Sequence, residues 1–559
     1  MKEVSNYLGV TNTDWPTAAE MPAKAKMLAQ FLDRTDVGVK SIPALQSIMT
    51  VLQYSYKVKV ASPNQLQNET YTKFHERNAD CRTTGTKVSR MVASARRDPQ
   101  YRSFDYEILL VAKQLIQRRV RAYSGPGLPM HGPGTSFYGA TQLHQKYEQL
   151  QRDVPLPLRR LEYLFTPNPR FPVRRPLETV AHCRLSCVPK DARGPRLVAP
   201  HLVSQMFAQQ AVRSELSRLL TSQRKWHKCH LPTGKVVSTI QFDDQSINSS
   251  LALYASENPM MYGTLDLSDA SDRLSWSLVC FLFSGTTLLH DLNVVRARYV
   301  RSQGLTRKLH MHAPMGSATC FPVMALTLWA LSVAVMYVVE NTKAGVFKRG
   351  WIDPTSVREC FVFGDDIILP TVFAAAVIRL LPRFGLLPNE SKCFYGPGGY
   401  RESCGCDAYR GVEITPVRLK TGGVSSLADV TSIVAHCNKL CSKHLYDTRD
   451  ALMSLAHEGA DRLGVQIVCT TDPEYQHCEI VSSFAEAVRK NRSRRVPMRY
   501  NRALQRVEAR CAYTYLPEHL VPFGQDAEWR LLAALTRHPI KGWVRKLPVK
   551  IASWVPIWH

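Results

Sequence analysis

Nineteen consecutive residues, Phe321 to Val339 (FPVMALTLWALSVAVMYVV), carry no charged side chain. A helix of that length can cross the hydrocarbon of a bilayer, and it can equally be the all-round apolar helix at the centre of a large core. A single span would put the residues before and after it on opposite faces of a membrane. What flanks the run therefore decides what kind of protein this is.

Downstream, Phe361 to Leu369 reads Phe-Val-Phe-Gly-Asp-Asp-Ile-Ile-Leu. Two short β-favouring runs flank a turn, and Gly364 supplies the positive φ of a tight hairpin. Asp365 and Asp366 then sit side by side at the tip, which is unfavourable unless a cation lies beside them. Gly-Asp-Asp alone is a common surface turn, so the weight comes from a second acidic group. Upstream, Tyr262 to Asp272 is a strand-like run ending in the acids Asp266, Asp269 and Asp272, and a helix with apolar Leu274, Leu278, Phe281 and Leu282 on one face follows. A carboxylate at a strand end can meet those of a neighbouring hairpin. Few, hard oxygen ligands suit Mg²⁺ when substrate phosphates complete its shell. Two such ions can activate an attacking 3′-hydroxyl and stabilise a leaving pyrophosphate.

The chain has 559 residues, too many for one core, and 45% hydrophobic residues suit a folded protein of several subdomains. Lys and Arg number 72 against 46 Asp and Glu, a net charge of +26. Such an excess implies a polyanionic partner, nucleic acid first and an anionic membrane surface second. The first 130 residues read as helical and basic, 180 to 420 as mixed α/β, and the chain beyond 425 as helical again. Arg159, Arg160, Arg170, Arg174 and Arg175 punctuate a proline-rich passage. Residues 489 to 510 hold nine Lys or Arg against the single acid Glu508. At the end of the chain Trp543, Trp554 and Trp558 mix with Arg545, Lys546 and Lys550. Interleaved basic and aromatic residues suit a single-stranded nucleic-acid track; the plainer alternative is a solvated basic face.

Fifteen cysteines, an odd number without a compact framework, follow a start with no apolar leader, which points to reduced thiols in a cytoplasm. His436, Cys437, Cys441 and His444 invite a zinc reading. The helical periodicity of Leu427 to Leu440 instead places Cys437 and Cys441 one turn apart on one face, as small core hydrophobes.

The ordered stretches DLSxxSD (Asp266–Asp272), MGS (Met315–Ser317) before a helix, FGDDIILP (Phe363–Pro370), NESKCF (Asn389–Phe394) and GGYRESCG (Gly398–Gly405) resemble the RNA-directed RNA polymerases of positive-strand RNA viruses. More narrowly, the chain resembles the replicase catalytic (beta) subunit of single-stranded RNA bacteriophages, the leviviruses. Val188-Pro189-Lys190 leading to Arg196, Asp244–Asn248 and Gly411–Pro416 support the narrower match. The resemblance covers about 185 to 420, and the two ends match only in length and character.

The resemblance implies an α+β right-hand polymerase fold. Residues 1–240 would be mainly fingers with an N-terminal helical region. Residues 241–420 would be the palm, an antiparallel sheet flanked by helices, with part of 275–315 open to assignment to the fingers. Residues 421–559 would be the thumb and a basic C-terminal region. It further implies templated RNA synthesis from NTPs with two Mg²⁺ ions, Mn²⁺ able to substitute. Asp266 and Asp365 would hold the metals and Asp366 complete the acidic site. Asp272 resembles the acid that senses the ribose 2′-hydroxyl, Ser317 lies in the nucleotide-contacting loop, and Lys190 and Arg196 resemble the strand that grips the triphosphate. In family members Asn-Gly often stands where this chain has Ser317-Ala318. Lys392 matches a lysine proposed to protonate pyrophosphate, and Arg401 and Glu402 resemble the support of the primer strand. Implied partners are RNA template and product, host translation elongation factors Tu and Ts and a ribosomal protein, in the cytoplasm of an infected bacterium.

If Asp266 and Asp365 share metal ions, the apolar run between them cannot be a lone membrane span, because no comparable second span lies between 266 and 365. It is then a buried helix with Pro322 in its first turn. A reverse transcriptase would place a bulky aromatic near the ribose, where this chain has Asp269, Ala270, Ser271 and Asp272. A non-enzymatic basic RNA-binding protein would explain the charge but not three separated acids in this order.

Overall fold

Local chemistry sets the early helices. The computed structural model describes residues 21–557 except 37, 40, 55–62, 99–102, 133, 151–153, 166–179, 192–193, 222–227, 233, 344–358, 420–422, 444, 513, 518–545 and 550–552. Helices α1 (Met21–Arg34), α2 (Ile42–Gln53), α3 (Asn64–Arg97) and α4 (Phe104–Arg119) come first. The Ser41 and Ser103 hydroxyls cap α2 and α4 by accepting the Ala44 and Tyr106 amides. A hairpin of β1 (Ser186–Asp191) and β2 (Gly194–Val198) leads into α5 (Val203–Leu220).

The centre is a four-stranded sheet built from β3 (Ile240–Gln241), β4 (Tyr262–Leu265), β5 (Phe361–Phe363) and β6 (Asp366–Pro370), in the order β3-β5-β6-β4. Helix α6 (Ser246–Glu257) follows β3, and α7 (Cys320–Lys343) precedes β5. Strand alternation divides the sheet. Tyr262, Phe361 and Ile368 pack with Ile247, Leu251 and Ala255 of α6. Leu265, Val362, Ile367 and Leu369 face the larger core around α7. The pairings β4–β6 and β6–β5 are antiparallel, as expected, but the edge strand β3 runs parallel to β5. A parallel neighbour needs a long crossover, and residues 242–360 supply it.

The uncharged run is α7, and 89% of its most apolar stretch is buried. Pro322 lies in its first turn. Helix α4 lies against it, and the Arg119 guanidinium stacks 4.0 Å from the Trp329 ring while donating to Thr239 Oγ1 at 2.8 Å. Burial holds Arg119 down at about 9.

Strands β7 (Tyr400–Ser403) and β8 (Cys406–Tyr409) form a second hairpin. Its two loop residues, Cys404 and Gly405, have φ of 50° and 78°; positive values at both positions are what a type I′ turn requires. Leu28 and Leu32 of α1 and Ile48 of α2 pack on Phe394, Tyr400, Tyr409 and Ile414.

The C-terminal part is not purely helical. Helices α8 (Leu427–Ser442) and α9 (Tyr446–Arg462) share a core with the parallel pair β9 (Cys469–Thr470) and β10 (Glu479–Ile480), with α10 (Phe484–Ser493), and with the sheet of β11 (Met498–Asn501), β12 (Arg506–Cys511) and β13 (Ser553–Pro556). The strands are short and polar on one side, so their apolar period is too brief to stand out in sequence. Cys437 is buried in this core, whereas His436 turns to Tyr54, with Nε2 3.2 Å from the hydroxyl. The zinc cluster considered from sequence is not assembled by these residues; its fourth member, His444, lies outside the described residues.

Arg401 is fully buried and is tied on all sides. It pairs with Asp33 of α1 at 2.8 Å and donates to the carbonyls of Tyr262, Pro259, Gly396 and Gly398. A side chain so enclosed acts within the fold: Arg401 joins the N-terminal helices to the central sheet. Arg401→Met should lower stability by about 3–5 kcal/mol because it leaves the Asp33 carboxylate buried without its partner. Urea unfolding followed by circular dichroism measures this.

Candidate active site

The β5–β6 hairpin pairs Phe363 with Asp366, so its loop is the two residues Gly364 and Asp365. Gly364 has φ of 66°, and a Cβ there would collide with the Phe321 ring at the start of α7. Only glycine fits the turn, and it presses the hairpin tip onto the buried helix. On the other edge of β6, Leu265 pairs with Ile367. Continued by one residue, that register puts Asp266 beside Asp366. The three acids thus arrive together from two strands and one turn.

Asp266 is held by Asn389, whose Nδ2 donates to Oδ2 at 3.2 Å and whose amide donates to the Asp266 carbonyl at 2.8 Å. Lys392 Nζ lies 3.7 Å from Asp266 Oδ2 and 3.1 Å from Glu402 Oε1. Asp366 accepts weakly from Ser403 Oγ at 3.5 Å, at the end of β7, and from Cys404 Sγ at 3.7 Å, in the β7–β8 turn. Burial pushes Asp266 up to about 6, with Asp365 and Glu402 adding to the rise and Lys392 and Asn389 opposing it. Burial, then Asp365, Asp266 and Glu402, push Asp366 up to about 7. Asp365 is also raised by burial, against its own backbone amide and the charges of Lys392, Arg196 and Lys190. For Lys392, burial acts downward but Glu402 and Asp266 outweigh it, so the ammonium form is favoured.

Lys190 and Arg196 are exposed near the end of the β1–β2 hairpin, and their charges reach Asp365. Asp272 lies off the sheet after a left-handed Asp269 (φ 55°). Burial raises it to about 6 against the opposing charge of Arg77, which sits 3.8 Å from Asp272 and 2.7 Å from Asp269. Arg77 comes from the middle of α3, almost two hundred residues away, and no local pattern distinguishes it from the other arginines of that helix. Asn389 and Ser403 stand inside stretches already notable in sequence, but their contacts depend on how the chain returns to the site.

Ser317 lies in the loop just ahead of α7, as the motif order led one to expect. It is 7% exposed, and its hydroxyl meets Thr319 Oγ1 at 3.1 Å. Gly316 has φ of 119°, and an added Cβ would lie 2.6 Å from the Ala199 carbonyl oxygen. Ala199 N in turn donates to Met315 O at 2.7 Å. The loop is therefore fastened to the end of β2, with the Ser317 side chain turned inward. In this arrangement the Ser317 hydroxyl helps to fix the loop.

The donors in this cluster are hard carboxylate oxygens, and they do not form a tight closed cage: among the described residues their ligand atoms are not all within 4.8 Å of one another. Burial is the first cause of the raised carboxyl groups, and neighbouring carboxylates add to it at Asp266 and Asp366. Hard donors in an open arrangement fit Mg²⁺, which takes one or two carboxylates and leaves most of its shell to water and phosphate. In metal-free protein, a folded pKa near 7 for Asp366 against an ordinary 3.8 means that ionising it costs stability, and stability rises as pH falls through about 7. Asp366→Asn should raise metal-free stability at pH 8 by about 1–3 kcal/mol and flatten that rise; thermal melts across pH measure both.

Comparison with known proteins agrees with the motif order. A family model described as "RNA replicase, beta-chain" matches residues 49–442. The RNA-directed RNA polymerase beta chain of Escherichia phage MS2 is 34% identical over 181 residues, 32% of this chain and 30% of that one. That of Enterobacteria phage fr is 31% identical over 201 residues, 36% of this chain and 33% of that one. The RNA-directed RNA polymerase subunit beta of Escherichia virus Qbeta is 28% identical over 235 residues, 42% of this chain and 34% of that one. The chain thus spans about a third of the length of the curated relatives it matches. The BmCPV RNA-dependent RNA polymerase at elongation state aligns at a TM-score of 0.39 and 9% identity, covering 71% of this chain and 36% of that one, a likeness too loose to carry weight. The family match covers most of the sequence, including every residue of the acidic cluster, and on that ground the chain belongs to the RNA replicase beta-chain family.

Proposed function

We propose that this protein is an RNA-directed RNA polymerase that copies and transcribes the genome of a positive-strand RNA phage. The observation that carries the reading is the convergence of Asp266, Asp365 and Asp366 through one sheet register and one glycine turn, beside Lys392. Asp266 and Asp365 would hold two Mg²⁺ ions, with Asp366 completing the acidic surface and Mn²⁺ able to replace Mg²⁺. The ions, when bound, supply the positive charge that lowers the barrier to 3′-hydroxyl ionisation and pyrophosphate departure.

The chain's own residues do the rest. Lys190 and Arg196 offer exposed positive charge to a triphosphate on the side facing Asp365. Asp272, held by Arg77, is a half-buried acceptor suited to a ribose hydroxyl. The new bond joins the 3′-oxygen of the growing strand to the α-phosphorus as the bond to pyrophosphate breaks, and the 3′-hydroxyl proton leaves to water. Lys392 can donate a proton to that leaving group once ligand charge competes for Glu402 and Asp266, which otherwise favour its ammonium form. Glu402 then acts on the reaction through Lys392.

The division into fingers (1–240), palm (241–420) and thumb with a basic end (421–559) belongs to the same proposal. So do RNA and NTPs as ligands, elongation factors Tu and Ts and a ribosomal protein as partners, and the host cytoplasm as location. The host factors rest on family resemblance alone.

Asp365→Asn should abolish nucleotide incorporation on a defined RNA template while leaving RNA binding within about twofold, since one carboxylate contributes little to a phosphate track. Incorporation retained in that variant would sink the reading; dNTP use at NTP-like rates in the unaltered protein would favour a reverse transcriptase. Because activity can depend on host proteins, the assay is repeated with host extract added.

RNA affinity should fall with salt by roughly 0.7 log units per phosphate contact per decade. Within 489–510, Arg492 and Arg495 are exposed, whereas Lys490 and Arg494 pair with the buried Glu479. Replacing Arg492 and Arg495 by Gln should flatten the salt slope without lowering the melting temperature. Replacing Arg494 should destabilise the C-terminal part.

A further inference from the structure

The C-terminal core brings together three donors that sequence spacing does not single out. His477 and Cys478 lie in the turn that opens into β10, closed by the Cys478 amide donating to Tyr475 O at 2.8 Å. Asn438 of α8 fixes this turn: its Nδ2 donates to the Cys478 carbonyl at 2.9 Å and its Oδ1 accepts the Ile480 amide at 3.0 Å. Cys511 ends β12, where it pairs in register with Ser553 of β13. His477 is 7% exposed and both cysteines are fully buried.

One imidazole nitrogen and the two Sγ atoms all lie within 4.8 Å of one another. Among the described residues no other set of three His, Cys, Asp or Glu side chains brings its ligand atoms so close. A cysteine used only as a small hydrophobe has no need of a second thiol and an imidazole from a separate strand. Two sulfurs and one nitrogen form the borderline-soft set that Zn²⁺ takes in tetrahedral geometry.

We propose that His477, Cys478 and Cys511 bind a structural zinc ion. The ion would clamp the β9–β10 pair to the β11–β12–β13 sheet, two small sheets joined otherwise by side-chain packing and a few hydrogen bonds. These three side chains supply three of the four positions of a tetrahedral site. Binding breaks the two Sγ–H bonds, releases both protons to solvent and forms two Zn–S bonds, with no change of oxidation state. Nothing in this site depends on the polymerase reading.

The test uses the full chain without a histidine tag, purified under reducing conditions from cells supplied with zinc. Elemental analysis should find one zinc per chain. Cobalt exchanged into the unaltered protein should show a thiolate-to-metal charge-transfer band in the near ultraviolet and a tetrahedral d–d spectrum. Cys511→Ser and His477→Ala should each lose most of the bound metal. Metal content unchanged in both variants overturns the proposal. The cobalt spectrum of the unaltered chain stands even if a variant fails to fold, and absence of zinc together with absence of the charge-transfer band overturns it too, as does a Cys478–Cys511 disulfide found by mass spectrometry in that preparation.

Discussion

Bringing Asp266, Asp365 and Asp366 into one partly dry place costs free energy twice, through lost hydration and through mutual repulsion; burial raises all three carboxyl groups, and repulsion adds to the rise at Asp266 and Asp366. What opposes that cost is backbone pairing. The hydrogen bonds of β4, β5 and β6 set the carboxylates in register irrespective of what the side chains would prefer. Lys392 offsets part of the repulsion, and its own partner Glu402 comes from the neighbouring hairpin. Under the proposed two-metal reading, bound cations would offset both costs, while the strands keep the acids in place.

Such a sheet must be braced, and three buried guanidinium groups help do it. Arg401 binds five backbone carbonyls, counting its neighbour Tyr400, as well as Asp33. Arg296 donates to the carbonyls of Leu309, Met311 and His312 and stacks 4.4 Å from the Trp276 ring. Arg119 stacks on Trp329 of α7. Planar guanidinium suits this work, since it spreads its charge over several acceptors and over aromatic faces. Helix α7 gives the sheet an apolar floor, and the Gly364 turn rests on Phe321 at its first turn. The length and apolarity that could suit a bilayer serve here to fill the interior of a large core.

The net charge of +26 is not all available to a ligand. Arg449, Lys490 and Arg494 converge on buried Glu479, and Arg499 and Arg506 on buried Glu508. Burial acts to raise both glutamates, yet these cations hold them below the ordinary range, Glu479 at about 2. A run that reads as one basic track is thus split by two acids into structural cations and exposed ones. Arg499 also stacks 4.0 Å from the Trp554 ring, so one of the aromatics near the C-terminus is engaged within the fold. The passage around 166–179 and Trp543 and Trp558 lie outside the described residues.

The acids of the site, the glycine turn and the buried helix were legible in sequence because each is a local signal: a period, a turn chemistry, or an uncharged run of definite length. The mixed direction of the sheet, the strands of the C-terminal part and the enclosure of Arg401 were not, since each depends on contacts between distant segments. Arg77 beside Asp272, Asn389 on Asp266, and the meeting of His477 and Cys478 with Cys511 belong to the same class. By itself, then, the sequence determined which residues carry charge and where the chain must turn. Only the tertiary structure decided which charges face one another, because desolvation and Coulomb energies depend on distance in space and not on distance along the chain.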